Sequence, residues 1–422
     1  MEESLTEYQD DIMMNSVQEK PELVVEYVDP EEGFKGWLAI DCFDHELCAG
    51  GVRVQKGLTR ECVENLASTM TLKMRIAGIR ADGAKCGIDY DPSSPGKNEA
   101  LFRFVRAIRP YICTRYSMGP DMNTTMQELD SIVSRLGLPS MKVAVAYAQG
   151  FEAEDFLQRI KTLAQPAGND DLGRLRAGSG LAAACFGVLD HLDIYSEDAT
   201  VTIQGFGGLA SGAAYCLSKK GVNIIALADR KKSFISPDKS PLHIKRLLQK
   251  STDGLIPGNE ITGVYEDRNG IYNVPCDVFV PAAIEKAITA KEAAVMQVKA
   301  VVCGANLAVT AEAEHILHER GILLIPDLIA GCGGSLSMEG LFGPSSHPTV
   351  EDVLQFVDEK MRRIVKTTLE RSQADNIPTR DAAIKICRER SVHPGTKPYG
   401  SLDISENILQ SQLGAYQPMA MN

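Results

Sequence analysis

The chain has no apolar run near the ~20 residues a membrane helix needs. It is also short of basic residues, with 44 Lys and Arg against 56 Asp and Glu. The resulting net charge of -12 argues against a partner that is nucleic acid or anionic membrane. The first twenty residues, MEESLTEYQDDIMMNSVQEK, are acidic and polar, unlike a secretory leader. No two of the eleven cysteines form a C-x-x-C pair. Scattered singly, they suit reduced thiols of a cytoplasmic protein, and their spacing is wrong for zinc, so no metal is expected.

What is present is ordinary globular composition, 44% hydrophobic and 24% charged, at a length of 422 residues that suits two domains. Residues 1–20 are expected to form an arm. Strands are expected at Leu23–Val28, Trp37–Cys42 and about Gly51–Val54. A helical pattern follows, apolar at Val63, Leu66, Ala67, Met70, Met74 and Ala77, with Thr59 as its N-cap and Lys73 near its end. The helix leads to an expected turn at Asp82-Gly83, in which Lys85 stands among small residues. A lysine in a dry pocket beside another cation has a lowered pKa and can act as a base near neutral pH. A helix is expected over residues 97–112. Beyond it, Asp121 in Gly119-Pro120-Asp121-Met122-Asn123-Thr124 either caps a helix over Thr125–Leu136 or is a carboxylate held for catalysis. Residues 148–178 are expected to be a connector with a short helix at Ala153–Leu163, followed by a helix from Leu181 to Leu192.

A β-branched strand then runs from Ala199 into Gly205-Phe206-Gly207-Gly208-Leu209-Ala210, a G-x-G-x-x-A pattern with a helix after it and an acidic residue, Asp229, ending the next strand. Alone the pattern is weak; in this context it points to a dinucleotide whose pyrophosphate sits on the helix N-terminus. Asp229 would accept from a ribose 2′-OH, which favours NAD. Arg230, Lys231 and Lys232 would instead welcome the 2′-phosphate of NADP, and both cofactors stay open. Strand patterns at Cys276–Val280, Lys299–Cys303 and Ile322–Ile325 alternate with helices, as in a parallel sheet with crossovers. Ligands of such sheets lie at the carboxyl ends of the strands, which makes Ala282, Ala283 and Asn306 cofactor-contact candidates. The helical pattern resumes at Thr349–Gln373 and Thr379–Arg388, and the tail from His393 is poorly defined.

Together these motifs resemble the glutamate/leucine/phenylalanine/valine dehydrogenase family over roughly residues 35–390. Gly50-Gly51-Val52-Arg53 is similar to its G-G-x-R, Met70-Thr71-Leu72-Lys73 to its M-T-x-K, Gly83-Ala84-Lys85-Cys86-Gly87 to its G-G-x-K-G-G, and Gly119–Thr124 to its A-P-D-M-N-T. Cys276–Ala283, Gly304-Ala305-Asn306 and Pro326-Asp327 follow in the family's order. The resemblance implies an α/β fold. An N-terminal substrate-binding and oligomerisation domain (1–178, with 349–422 packing back on it) would precede a Rossmann domain (179–348), with the active site in the cleft. It implies that Lys73 holds an α-carboxylate, Lys85 activates water and Asp121 shuttles protons. The reaction would be NAD(P)-dependent exchange of an L-amino acid with its 2-oxo acid and ammonia, in a homo-oligomer.

The departures bear on the substrate. Glutamate-specific members have a lysine where Ala49 stands and a serine where Met338 stands. An unpaired γ-carboxylate in the apolar pocket left behind would cost several kcal/mol. Cys48, Ala49, Gly119, Ser335 and Met338 together suggest a neutral branched or aromatic side chain, with glutamate disfavoured, and Gly50 and Gly51 are further substrate-binding candidates. Gly331 replaces an asparagine, Cys303 an acidic residue, and Asp82 a glycine, where its charge would raise the pKa of Lys85. Two alternatives follow: a dinucleotide-binding paralogue that does not turn over, and a reductase of the same fold acting on another imine or keto acid.

Overall fold

The computed structural model describes residues 20–400, except 169, 253, 262, 263, 344, 346, 391, 393 and 394. The expected arm and most of the tail fall outside the described residues. The described chain divides into two compact units. One holds residues 21–156, 342–345 and 386 onward; the other holds 157–341 and 346–385. No described helix is long and apolar enough to cross a membrane.

The first unit is built on five strands, β1 (Leu23–Val28), β2 (Lys35–Ile40), β3 (Cys48–Gln55), β4 (Asp82–Asp89) and β5 (Tyr116–Pro120), in the order β1-β2-β4-β3-β5. β4 runs parallel to β3, and β3 parallel to β5. Alternation along β3 and β4 sends Cys48, Val52, Val54, Ala84, Cys86 and Ile88 into a core with Leu101, Phe104 and Ile112. The other face, with Ala49, Gly51, Arg53, Gly83, Lys85 and Gly87, meets the helix Arg60–Ala77. That helix starts at Thr59, whose side chain accepts from Cys62 N–H, and ends at Gly78 with φ 76°. A Cβ at Gly83 would lie 2.1 Å from Ala67 O, so only glycine lets the helix backbone rest on the strand.

Lys85 is therefore on a central strand, not in a turn. With both faces of β4 covered, its small residues show no polar alternation, and the strand reads as a loop. The helix expected over 97–112 is two, Lys97–Ala107 and Arg109–Thr114, divided at Ile108 just ahead of Pro110.

The second unit carries a seven-stranded sheet of β8 (Thr200–Gln204), β9 (Asn223–Ala228), β10 (Lys232–Ile235), β11 (Val264–Asp267), β12 (Cys276–Pro281), β13 (Val298–Val302) and β14 (Leu323–Ile325). Two two-residue strands, β6 (Pro166–Ala167) and β7 (Asp170–Asp171), precede them. The order is β11-β10-β9-β8-β12-β13-β14, parallel from β9 through β14, with β10 and β11 added antiparallel at one edge. The chain leaves β8 on one side and returns on the other at β12, which makes a switch point between them.

The helix placed over Leu181–Leu192 begins at Leu172, inside the expected connector, and ends at His191; Asp171 caps it by accepting from Arg174 N–H. Its glycines hid its period. Gly178 packs directly on Gly212 of the next helix, where a Cβ would come within 2.6 Å of the backbone. The long helix Val350–Asp375 also stays in this unit, lying on the Leu172–His191 helix rather than returning to the first unit. After that helix the chain rejoins the first unit from Ile386.

Candidate active site

The first unit gathers Arg53, Lys85 and Asp121 on one face of its sheet. The register sets Ala49 beside Gly83 and Val52 beside Cys86, so Gly51 falls beside Lys85, and Gly51 in turn pairs with Gly119. Lys85 Nζ lies 3.0 Å from Asp121 Oδ2, and Arg53 Nε donates to the same oxygen at 2.8 Å. Arg53 also donates to Gln55 Oε1 at 3.3 Å. Lys73, on the Arg60–Ala77 helix two residues past Thr71, is buried nearby. Thr71 Oγ1 accepts from Gly83 N–H at 2.9 Å and ties that helix to β4.

Burial lowers the pKa of Lys85, and the charges of Arg53 and Lys73 lower it further against the pull of Asp121. Burial opposes ionisation of Asp121, yet Lys85 and Arg53 outweigh it and hold the carboxyl well below its usual range. The pair thus combines an amine that gives up its proton readily with a carboxylate that stays charged.

Asp121 does not cap the following helix. That helix is Met126–Arg135, and Thr125 and Glu128 form its capping box. Asp121 is instead held by the two cations and by its own N–H, which donates to Thr124 Oγ1 at 2.9 Å. Nor does Asp82 bear on Lys85. Three residues away on a strand, it points to the opposite face. Its carboxylate accepts there from His45 N–H at 2.8 Å and lies 2.8 Å from His45 Nδ1. Cys42, Asp44 and Asp82 lie close enough to ligate an ion, but Asp44 is paired with Arg75 and Asp82 with His45.

The glycines here have separate causes. A Cβ at Gly50 would fall 1.6 Å from Ala84 O, and one at Gly51 would fall 2.8 Å from Asp121 Cβ. Gly119 has room, since a Cβ there would meet nothing nearer than Lys142 Nζ at 3.8 Å and Gly50 O at 4.0 Å. Lys142, buried at the start of the Val143–Gln149 helix, is a second lysine on this face, and nothing in the sequence pattern marks it.

In the second unit, Gly205 has φ 112°, and a Cβ there would meet Ala282 O at 3.0 Å and Ala283 Cβ at 3.1 Å. Gly304 closes on Ala282 in the same way, so the glycine loop, Ala282, Ala283 and the Gly304-Ala305-Asn306 loop are brought together at the strand ends. Gly207 is the N-cap of the helix Gly208–Lys219 and supplies no side-chain hydrogen bond. A Cβ at Gly207 or Gly208 would meet nothing within 4 Å. An open cradle over uncapped helix N–H groups fits a pyrophosphate. Phe206 is buried and Leu209 partly so, which leaves backbone rather than side chains facing that space. Two family models match the chain: Glutamate/Leucine/Phenylalanine/Valine dehydrogenase over residues 172–393, and Glu/Leu/Phe/Val dehydrogenase, dimerisation domain, over residues 21–136. The chain belongs to this family.

This amino acid dehydrogenase is 30% identical over 309 residues to NADP-specific glutamate dehydrogenase A1 of Halobacterium salinarum, covering 72% of this chain and 70% of that one. It is 32% identical over 289 residues to the catabolic NAD-specific glutamate dehydrogenase RocG of Bacillus subtilis, covering 68% and 65%. Its fold matches the hetero-hexameric glutamate dehydrogenase of Thermus thermophilus, leucine-bound, with a TM-score of 0.71 at 22% identity over 93% and 97% of the two chains. Its relatives thus include both NAD- and NADP-specific enzymes.

Ser335 and Met338 lie on the helix Gly333–Phe342 of the second unit, Met338 buried and Ser335 partly so. The same unit contains a buried cluster that the sequence did not reveal. Arg380 Nε donates to Glu314 Oε1 and Nη2 to Asp327 Oδ1, each at 2.8 Å. Asp327 Oδ2 accepts from Leu307 N–H at 3.2 Å, next to Asn306. Leu307 has φ 49°, a backbone shape that this bond helps hold.

Proposed function

We propose that the enzyme interconverts an L-amino acid with its 2-oxo acid and ammonia at the Lys73, Lys85 and Asp121 face. The observation that carries this reading is the shared oxygen of Asp121, which keeps one amine and one guanidinium beside a carboxylate in a dry setting. Lys73 holds the substrate α-carboxylate. Asp121 accepts a hydrogen bond from the substrate nitrogen and takes part in its proton transfers. Lys85, its pKa lowered first by burial, takes the proton from the water that attacks the imine carbon. When bound at the Gly205–Leu209 cradle, the nicotinamide dinucleotide supplies the acceptor for the α-hydrogen as hydride. Gly51 keeps Asp121 in line, and Arg53 keeps it ionised.

The side chain of the substrate lies toward Ala49 and Gly119. With no lysine at position 49, a neutral branched or aromatic side chain is favoured over glutamate. A second reading rests on Lys142, which stands over Gly119 and would meet an acidic side chain from another direction. Oxidation of NADH and NADPH with ammonia and pyruvate, 2-oxoglutarate, 2-oxoisocaproate, phenylpyruvate or indolepyruvate separates the two. Turnover of the bulky neutral acids alone supports the first. Turnover of 2-oxoglutarate that disappears in Lys142→Met supports the second. No turnover, with dinucleotide bound, leaves a binding protein. The match of residues 21–136 to a dimerisation domain supports assembly of copies through the first unit, which light scattering checks.

A further inference from the structure

We infer that Arg230 and Lys231, rather than Asp229, read the ribose 2′ position, so that the enzyme binds NADP(H) more tightly than NAD(H). The inference rests on the glycine-loop reading of the cofactor site. β9 ends beside that loop, since Gly205 N–H donates to Ala228 O at 2.8 Å. The next residue, Asp229, is the one whose carboxylate would be expected to take the ribose hydroxyl. Its oxygens are already engaged. Oδ1 accepts from Lys231 N–H at 2.7 Å and Lys232 N–H at 3.0 Å, and Oδ2 accepts from Ile256 N–H at 2.9 Å. Asp229 is 8% exposed. Its main chain closes the same turn, with Asp229 N–H donating to Lys232 O at 2.9 Å.

These bonds make Asp229 the fastener of a tight hairpin between β9 and β10, where Ala228 pairs with Ser233. They also tether the segment that carries Gly254, which lies against Phe206 and Gly207 of the glycine loop. The tip of the hairpin is Arg230-Lys231. Both side chains are exposed, and neither has a hydrogen-bond or ion-pair partner among the described residues. A guanidinium and an ammonium at the edge of an adenosine-ribose site match a phosphate dianion and offer a bare hydroxyl little.

The test is equilibrium binding by calorimetry to the full chain, with NADPH, NADH, 2′,5′-ADP and 5′-AMP as probes, at low and high salt. NADPH is expected to bind about tenfold or more tighter than NADH, on the scale of one or two charge-assisted contacts, and to weaken with salt. Arg230→Ala/Lys231→Ala should bring NADPH to the level of NADH and leave NADH unchanged. Asp229→Asn should lower the melting temperature and weaken both cofactors alike. A preference for NADH overturns the inference, as does an NADPH advantage that survives the double variant. So does a loss in Asp229→Asn confined to NADH without loss of stability. If none of the four probes binds, the glycine-loop reading falls together with the inference. Equal binding of NADPH and NADH overturns the inference alone.

Discussion

Asp121 Oδ2 receives both Lys85 Nζ, at 3.0 Å, and Arg53 Nε, at 2.8 Å, so a single oxygen ties two neighbouring strands to the loop after a third. The geometry separates two tasks. Arg53 is a permanent cation and can hold the carboxylate charged. Lys85 can lose its proton without releasing Asp121.

Lys85→Ala should therefore lower kcat by about 10²–10⁴-fold, the usual contribution of a placed acid or base, and leave dinucleotide binding near its original value. In the parent enzyme, deamination should rise with pH through the folded pKa of Lys85, because the neutral amine is the active form. That midpoint lies below the ordinary lysine value. The sign for stability follows by linkage. The folded state binds this proton less tightly than the unfolded state does, so between the two pKa values this group adds stability as pH rises. A pH profile of kcat with no limb assignable to a group absent from Lys85→Ala would defeat the role given to Lys85.

Gly50, Gly51 and Gly119 should respond differently to the same added methyl. Gly50→Ala drives a Cβ into Ala84 O and should cost about 2–3 kcal/mol or more in denaturant unfolding, as overpacking does. Gly51→Ala meets Asp121 Cβ and should lower kcat more than it lowers stability. Gly119→Ala meets no atom closer than 3.8 Å and should fold normally, its effect confined to KM for large substrates. An unfolded Gly119→Ala would contradict the space described at that position.

Much of this was open to reading from the sequence, and the failures share a physical origin. The helix that carries Lys73 shows its cap and its period plainly, because only one side of it is apolar. β4 is buried on both faces and carries two glycines for close approach, so neither alternation nor propensity marks it. The first half of the Leu172–His191 helix is hidden for the same reason, its glycines being contacts with other backbones. Asp121 was recognisable as a carboxylate in a glycine-rich loop. Its partners were not, since Arg53 and Lys85 lie 68 and 36 positions away and meet it only through strand register. Asp229 shows the converse: the sequence offered a ribose ligand, and the fold spends its oxygens on backbone N–H groups.

The Arg380 cluster joins the C-terminal helix Thr379–Glu389 to the loop beside Asn306. Burial raises the pKa of Glu314, and the Arg380 guanidinium opposes that rise. Arg380→Met would leave two buried carboxylates without their cation and should cost about 3–5 kcal/mol. Dinucleotide affinity should fall with it, because Asp327 would no longer be held to Leu307. Arg380→Lys should recover part of the stability but not both bonds, since an ammonium lacks the fork that reaches Glu314 and Asp327 together. Full recovery in the lysine variant would argue against a role for that fork.

Position 49 gives the sharpest test of substrate choice. Ala49 lies on the same sheet face as Lys85, beside Gly83 and Ser117, and is buried. If its small size keeps an acidic side chain out, Ala49→Lys should raise turnover of 2-oxoglutarate relative to 2-oxoisocaproate by about tenfold or more, each tenfold corresponding to about 1.4 kcal/mol of transition-state preference. Burying the new ammonium has its own desolvation cost, so a lower melting temperature should accompany the gain. Adding Lys142→Met separates the two cations. If position 49 alone governs the side chain, the double variant keeps the gain. If Lys142 already meets the distal group, the parent turns over 2-oxoglutarate, Ala49→Lys adds little, and Lys142→Met removes the activity in both backgrounds.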